Sequence, residues 1–398
     1  MATLPVPVAE RASIEEFVGA HLTHLVDGPL VGSPSFRGGQ RAANRALSGF
    51  SVRRYARKRN EVFPVQARGA SGLSPYIRHG LLQLREVWDA VEGGPAEDVR
   101  KFRYELLWQE YARHWYARLG EQTRSALRQE PVDVQDGYGW DRTLPCLDQA
   151  VTELETEGWI VNQTRMWLAS DWSVRNRQMW TEGEDLFFRH LLDGSRAANR
   201  LGWQWTSGVG SSKPYVFSRW QVEKRAHALC DGCPHRESCP LEERPFLPDF
   251  DVVPPPASLD LSGPQVVQGA GLPEAVWITA ESLGDHDPAL RAHPDLPVVF
   301  VFDEPLLAKL RLSSKRYVFI LETLAEMAQE RNLEIRLGCP SEELAGIPLA
   351  VTHAPVPGFQ RHATQLKPVR IHPWPWLCIP GSNPVRSFSA WSKKVRQP

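Results

Sequence analysis

The sequence lacks any apolar run approaching the ~20 residues that a membrane-spanning helix needs. It begins MATLPVPVAERAS, without the basic and apolar stretches of a secretory signal peptide. Six cysteines among 398 residues do not suggest the disulfide framework of a small secreted protein. We therefore expect a reducing, cytoplasmic setting and no membrane partner.

The formal net charge is only −1, but the charges are unevenly distributed along the chain. Between Arg37 and Gln129 there are 18 Lys and Arg against 9 Asp and Glu, a local charge of +9. Several of the 15 tryptophans are interleaved with these basic residues. This combination is typical of a nucleic-acid-binding surface, although a solvated helical surface rich in arginine would show the same balance.

The pattern of apolar residues divides the chain into four parts. Residues 1–34 form an N-terminal extension punctuated by proline, and residues 35–245 have the spacing of helices. A linker rich in proline and glycine, 246–273, precedes a last region, 274–398.

The last region contains short apolar runs that suit buried parallel strands. A helical segment, Tyr317–Gln329, lies between the second and third runs. We therefore expect an all-helical region followed by an α/β region with a parallel, Rossmann-like sheet, although neither GxGxxG nor a P-loop is present. The four runs are Ala275–Ala280, Val298–Asp303, Leu333–Leu337 and Leu349–His353.

Several ordered sequence blocks in the helical region are together distinctive. In this order and at these spacings they resemble the FAD-binding domain of the photolyase/cryptochrome family. The blocks are Tyr55-x3-Arg59, ASGLSPYIRHG (Ala70–Gly80), ELLWQEYARHW (Glu105–Trp115), GWIVNQTRMWLAS (Gly158–Ser170), W-x-x-G-E (Trp180–Glu184) and LDGSRAANRLGWQWTSG (Leu192–Gly208).

The last region resembles the other half of the same family. The strand-like VWIT is followed by ESLGDHDPAL (Glu281–Leu290), which is similar to the segment after the family's first strand. In that family the α/β domain precedes the helical domain, whereas here it follows. The chain therefore resembles a circularly permuted photolyase in which residues 246–273 replace the usual connection.

The resemblance implies FAD as the cofactor. Arg165 and Asp193 match a buried ion pair beside the isoalloxazine ring, and Asn199 matches the residue that faces flavin N5. Gly72 and Gln109 stand where relatives often carry Arg, so we expect phosphate binding to be rearranged. The other implied FAD-binding residues are Tyr55, Arg59, Ser71, Leu73 and Ser74.

The resemblance also implies a pocket that receives a flipped, ultraviolet-damaged pyrimidine pair. Met166 stands where the (6-4) photolyases carry a proton-transferring His, which argues against (6-4) repair. The matching pocket residues are Glu105, Trp108, Asn162, Met166 and Trp205.

Relatives reduce their flavin through a chain of three tryptophans. Trp203 and Trp180 match its proximal and middle members. The distal position falls near Leu127, which is not aromatic. The tryptophans that could replace it are Trp115, Trp140 and Trp172.

The spacing Cys230-x2-Cys233-x5-Cys239 is crowded and typical of a metal site. Cys146 is the implied fourth ligand, because it lies where bacterial iron–sulfur members of the family have their remote cysteine. The resemblance therefore implies a [4Fe–4S] cluster. Zinc and free thiols remain alternatives, because the final cysteine gap is longer in those relatives.

The function implied is that of a deoxyribodipyrimidine photolyase, a carbon–carbon lyase acting on DNA that carries ultraviolet lesions. Light-excited reduced FAD would give one electron to a cyclobutane pyrimidine dimer, and the electron would return after the ring splits. One alternative is a cryptochrome-like blue-light receptor that signals through a protein partner. Another is a light-independent iron–sulfur flavoprotein that binds nucleic acid. No antenna-chromophore motif is recognisable.

Overall fold

The computed structural model describes residues 2–395, apart from 132–133, 136–138, 244, 246, 248 and 382–386. A helical region and a region built on a six-stranded sheet make up the described chain. The expected fold class, helices combined with a parallel α/β sheet, is confirmed. Within the described chain, each helix is too short or too polar to cross a membrane.

The helices and strands of the described chain have the following bounds. The helices are α1 (Arg11–His21), α2 (Gln40–Gly49), α3 (Tyr55–Lys58), α4 (Ser74–Arg78), α5 (Leu84–Asp89), α6 (Ala96–Leu119), α7 (Pro145–Glu157), α8 (Asn162–Ser170), α9 (Trp180–His190), α10 (Ala198–Ser207), α11 (Arg219–Asp231), α12 (Pro288–Ala292), α13 (Glu304–Leu310), α14 (Ser314–Met327), α15 (Pro340–Glu343), α16 (Pro357–Leu366) and α17 (Phe388–Ser392). The strands are β1 (Ala2–Leu4), β2 (Val26–Asp27), β3 (Gln129–Pro131), β4 (Phe250–Val252), β5 (Ala275–Ile278), β6 (Val298–Asp303), β7 (Leu312–Ser313), β8 (Leu333–Gly338), β9 (Leu349–Thr352) and β10 (Arg370–His372).

Local sequence explains where the helices of the site begin and end. Helix α7 starts with Pro145, whose fixed φ suits a first helical turn, and it stops at Gly158 with φ +68°. Helix α10 stops in the same way at Gly208, where φ is +91°. Between these two stops, α8 and α10 pack against each other.

The main sheet has the strand order β1-β8-β6-β5-β9-β10. The five strands from β8 to β10 in that order are parallel. When they are numbered 1 to 5 as they follow along the chain, they lie in the sheet in the order 3-2-1-4-5, as in doubly wound folds. The apolar run VVFVFD of β6 is buried over its first five residues, since layers cover both faces. All four strand predictions from the apolar runs are confirmed.

The N-terminal segment 1–34, set apart as an extension by its prolines, contributes to the sheet. Strand β1 pairs antiparallel with β8 through Leu4 and Ile335. Helix α1 packs on α14, where Arg11 donates hydrogen bonds to the carboxylate of Glu322 at 2.8 and 2.9 Å. The segment therefore belongs structurally with the sheet.

The end of the chain, included in the expected α/β domain 274–398, leaves the sheet after β10. Its described residues between Trp374 and Val395 lie along α6 of the helical region. The expected linker, 246–273, also makes regular contacts, because β4 pairs with β3 and Gln268 bridges to Ile371. The N-terminal segment thus packs with the sheet region, and the described C-terminal residues pack with the helical region. The two regions therefore meet at more places than the linker.

Candidate functional site

A cavity of about 500 Å³ opens beside α2, α3 and α4. Arg53, Arg54, Lys58 and Arg68 contribute four cationic side chains to its lining. Gly72 also lines it, with φ +68°, a left-handed backbone conformation that favours glycine. The cavity is therefore suited to an anionic ligand.

Arg165 joins two side chains from different elements. Its Nη2 donates to both carboxylate oxygens of Asp193, at 2.8 and 3.1 Å, and its Nη1 donates to Asn199 Oδ1 at 2.8 Å. Asp193 and Asn199 are buried. Arg165 lies on α8, Asp193 follows α9, and Asn199 lies on α10, so three elements hold a bidentate, charge-assisted cluster in place.

The turn that carries Asp193 is held by side chains from α4 and from α14 of the sheet region. The carbonyl oxygen of Gly194 accepts hydrogen bonds from Arg78 Nε at 2.9 Å and from Arg316 Nη2 at 3.2 Å. A ring nitrogen of His79 lies 3.1 Å from the carbonyl oxygen of Leu192. Sequence reasoning missed these three side chains. Arg316 is 122 residues from Gly194, and no local pattern predicts such a contact.

Two members of the expected phosphate-binding set already have polar partners. Arg59 Nη1 lies 3.3 Å from Glu105 Oε1, and Ser74 Oγ accepts a hydrogen bond from Trp159 Nε1 at 2.9 Å. The Nε of Arg59 is buried and has no hydrogen-bond partner within the described part of the chain. An unpaired buried donor of this kind is costly unless a ligand satisfies it.

The remaining members of that set are mainly apolar or locally bonded. Burial raises the pKa of Tyr55, and the charge of Glu105 raises it further, so the hydroxyl stays protonated and able to donate. Leu73 is fully buried, and its amide donates to Ser71 Oγ at 3.4 Å. Of these three residues, Ser71 lines the cavity.

Five residues expected to form a lesion pocket come from α6, α8 and α10, and α10 packs against both other helices. Glu105 Oε1 lies 2.8 Å from Lys101 Nζ as well as near Arg59. Trp205 is 45% exposed, and its ring centroid is 5.7 Å from that of Tyr215. The other three members are Trp108, Asn162 and Met166.

The expected electron-transfer tryptophans lie in one apolar cluster. Trp203 is buried and its ring centroid is 5.0 Å from that of Phe187, which is 6.1 Å from that of Trp140. Trp140 and Trp172 are 4.9 Å apart, and Trp180 belongs to the same cluster. Trp140 is only partly buried, whereas Trp172 and Trp180 are buried. Trp115 lies in a different cluster.

Of the four cysteines of the expected metal site, Cys146 lies at the start of α7, Cys230 near the end of α11, and Cys233 and Cys239 in the segment after it. Burial, and then the neighbouring thiols of Cys230 and Cys239, raise the pKa of Cys146 to about 12. All four cysteines, including Cys233, have free thiols. Among the described residues, however, no three His, Cys, Asp or Glu side chains lie close enough together to hold a metal ion.

Comparison with known proteins supports the resemblance over part of the chain. Residues 102–228 match the model of the FAD binding domain of DNA photolyase. A deoxyribodipyrimidine photo-lyase of Synechococcus is 32% identical over 198 residues, covering 43% of this chain and 39% of the relative. That of Thermus thermophilus is 33% identical over 199 residues, covering 46% of each. The chain therefore spans less than half the length of these relatives.

Among solved structures, the cryptochrome of Synechocystis is similar, with a TM-score of 0.45 and 21% identity. The match covers 54% of this chain and 49% of that protein.

Proposed function

We propose that this protein binds FAD and uses light to repair cyclobutane pyrimidine dimers in DNA. The observation that carries the proposal is the buried cluster of Arg165, Asp193 and Asn199, held by three elements within the stretch that matches the FAD-binding model. Asp193 and Asn199 would bind the flavin ring, and Arg165 holds both side chains in place before any ligand arrives.

The residues around the cavity fit FAD. The diphosphate needs cations, which Arg53, Arg54, Lys58 and Arg68 of the cavity lining can supply. Arg59, next to Lys58 in the chain, adds a buried Nε that has no partner among the described residues. Gly72 adds room near Ser71, since a side chain is absent where the backbone lines the cavity. Bound FAD, once reduced, would supply one electron to the dimer under light and receive it back after ring opening.

The pocket residues fit the substrate side of the reaction. Trp108 and Trp205 offer flat apolar surfaces on which unpaired bases stack. The Glu105 carboxylate, held by Arg59 and Lys101, can accept a hydrogen bond from a base N–H. The surplus of nine positive charges between residues 37 and 129 favours attraction of the DNA backbone.

The direct test uses full-length protein loaded with FAD and chemically reduced. Blue light should restore pyrimidines in an oligonucleotide carrying one cyclobutane dimer, while the dark sample and an oligonucleotide with a (6-4) lesion should stay unchanged. Absence of restoration from protein that retains FAD would contradict repair. If light still reduces that protein's flavin, the photoreceptor alternative would be favoured.

We also propose that Trp203 and Trp180 carry electrons inward and that Trp140 is the outer member of the route. Trp140 is partly exposed and lies 6.1 Å from Phe187, which contacts Trp203. Trp140→Phe should slow reduction of FAD under light several-fold, measured as bleaching of the oxidised flavin band with an external donor. Trp115→Phe, in the other cluster, is the control. Equal rates for the two variants would contradict the route.

We further propose a [4Fe–4S] cluster at Cys146, Cys230, Cys233 and Cys239. Burial raises the pKa of Cys146, and the thiols of Cys230, Cys239 and Cys233 lie near enough to raise it further, although among the described residues no three metal-binding side chains are as close together as a bound ion requires. Cys146→Ser should remove most iron and acid-labile sulfide from anaerobically purified protein. Cys378→Ser, at a buried cysteine elsewhere, should leave both unchanged. Zinc without sulfide in the unmodified protein would refute the cluster.

The order of the two regions supports a circular permutation. The stretch matching the FAD-binding model ends at residue 228, and the parallel strands begin at Ala275. After β5, Asp287 caps α12 by accepting hydrogen bonds from the amides of Ala289 and Leu290. This capped turn is the segment HDPAL that resembles the family's first strand–helix connection. A changed order of two domains along a chain is physically reasonable, since domains fold as units and their termini usually lie at the surface.

A further inference from the structure

The C-terminal segment, defined here as the described residues 374–381 and 387–395, is attached to α6 by buried polar contacts. The amide of Cys378 donates to Glu110 Oε1 at 2.8 Å. Trp391 Nε1 donates to His114 Nδ1 at 3.2 Å, and the ring of Trp376 packs edge-on against His114 at 4.7 Å. The C-terminal segment is thus fixed relative to the helix that carries Glu105 and Trp108.

One side chain of this segment reaches a residue of the proposed lesion pocket. The ring of Phe388 stacks on that of Trp108 with centroids 3.8 Å apart and planes 8° apart. Tyr104 and Tyr111 contact Phe388 edge-on, at 5.0 and 5.6 Å. Phe388 is buried, so the stack is part of the apolar core rather than a surface contact.

The helical positions indicate which side of Trp108 is covered. Tyr104, Trp108 and Tyr111 are spaced i, i+4 and i+7 and form one stripe of α6. Around the helix, Glu105 lies about 60° from Trp108, on the side opposite the two tyrosines, and its carboxylate meets Arg59 there. Phe388 therefore contacts Trp108 from the stripe of the two tyrosines, away from Glu105. Trp108 remains partly exposed despite the stack.

We infer that Phe388 is a positioning residue that holds the Trp108 ring so that its other face can stack on a damaged base. This inference rests on the proposed function of the pocket. A tryptophan that is free to change rotamer loses conformational entropy when a base binds, whereas one already stacked loses less. The last segment of the chain, though it follows the sheet, thereby completes a pocket of the helical region.

The test compares binding of full-length variants to two oligonucleotides, one with a cyclobutane dimer and one undamaged. Phe388→Leu keeps an apolar side chain but removes the stack, and it should weaken binding of the damaged oligonucleotide about three- to tenfold. Binding of the undamaged oligonucleotide should not change. Phe388→Tyr keeps the stack and should bind as the unmodified protein does.

A matched control is Phe359→Leu, which removes a stacked ring 5.5 Å from Trp277 in the sheet region. It should alter neither affinity, although both leucine variants should lower the melting temperature. A merely structural role for Phe388 would leave the ratio of the two affinities unchanged and would overturn the inference. Tighter binding by Phe388→Leu would also overturn it, since the ring would then occupy the base site.

Failure of the proposed function has a different signature. If the unmodified protein shows no preference for the damaged oligonucleotide, the lesion pocket and the role of Phe388 are both refuted. If it shows the preference and Phe388→Leu retains it in full, only the positioning role is refuted.

Discussion

Replacing Arg165 with leucine should leave the purified protein almost without FAD. The substitution removes three hydrogen bonds to Asp193 and Asn199 and leaves a buried carboxylate without its cation. Breaking a buried ion pair in this way lowers the stability of the fold by about 3–5 kcal/mol. A lost charge-assisted hydrogen bond to the flavin costs about 1.5–3 kcal/mol more in binding, so the dissociation constant for FAD should rise about 10- to 100-fold. Flavin absorbance per chain and titration of the FAD-free protein measure the two quantities.

General loss of stability must be separated from loss of the flavin contact. Arg11→Leu breaks a comparable ion pair with Glu322 in the sheet region and should lower the melting temperature without releasing FAD. Adding Asp193→Asn to Arg165→Leu removes the unpaired charge. The double variant should regain stability but not FAD. Stoichiometric FAD in the Arg165→Leu protein would show that the cluster is only a structural clasp.

Replacing Glu105 with glutamine should strongly reduce repair while FAD binding stays intact. The carboxylate offers charged acceptor oxygens beside Arg59 and Lys101, whereas an amide offers one neutral acceptor and introduces donors. A hydrogen bond to a charged group contributes about 1.5–3 kcal/mol, so binding of the dimer should weaken about 10- to 100-fold, and repair at a protein concentration below saturation should fall with it. Single-flash repair of a dimer-bearing oligonucleotide measures the change.

The control for this variant is Glu97→Gln, which neutralises an exposed acid in the first turn of the same helix. It should repair at the unmodified rate. Light-driven reduction of FAD should be the same in both variants, because Glu105 lies outside the tryptophan cluster. Undiminished repair by Glu105→Gln would remove this carboxylate from the proposed pocket.

The sequence predicted those features that have a local pattern or a family resemblance. Apolar runs identified β5, β6, β8 and β9, because a strand buried on both faces needs continuous apolar residues. The family resemblance selected Arg165, Asp193 and Asn199, and the structure brings them together. Helical spacing alone could not have done so, since it identifies a buried face but not which polar residues meet.

Other features depend on contacts across the chain and left no local signal. Strand β1 has only three residues, too few to show an alternating pattern, and the prolines after it led us to set residues 1–34 apart as an extension. The stack of Phe388 on Trp108 joins residues 280 positions apart, so only tertiary packing reveals it. Arg316 has ordinary helical surroundings in the sequence, yet it is buried against the turn that holds Asp193.

The pairing of β1 with β8 also protects the protein from self-association. Without β1, the backbone N–H and C=O groups along the outer side of β8 would be unpaired, and an exposed strand of this kind can recruit another chain. Strand β1 takes the edge position instead, and because it has only three residues and is followed by Pro5, it offers a pairing chain less backbone than β8 would. Trimming the first few residues as a dispensable leader, or burdening them with a bulky fusion, would endanger solubility before it affected any cofactor.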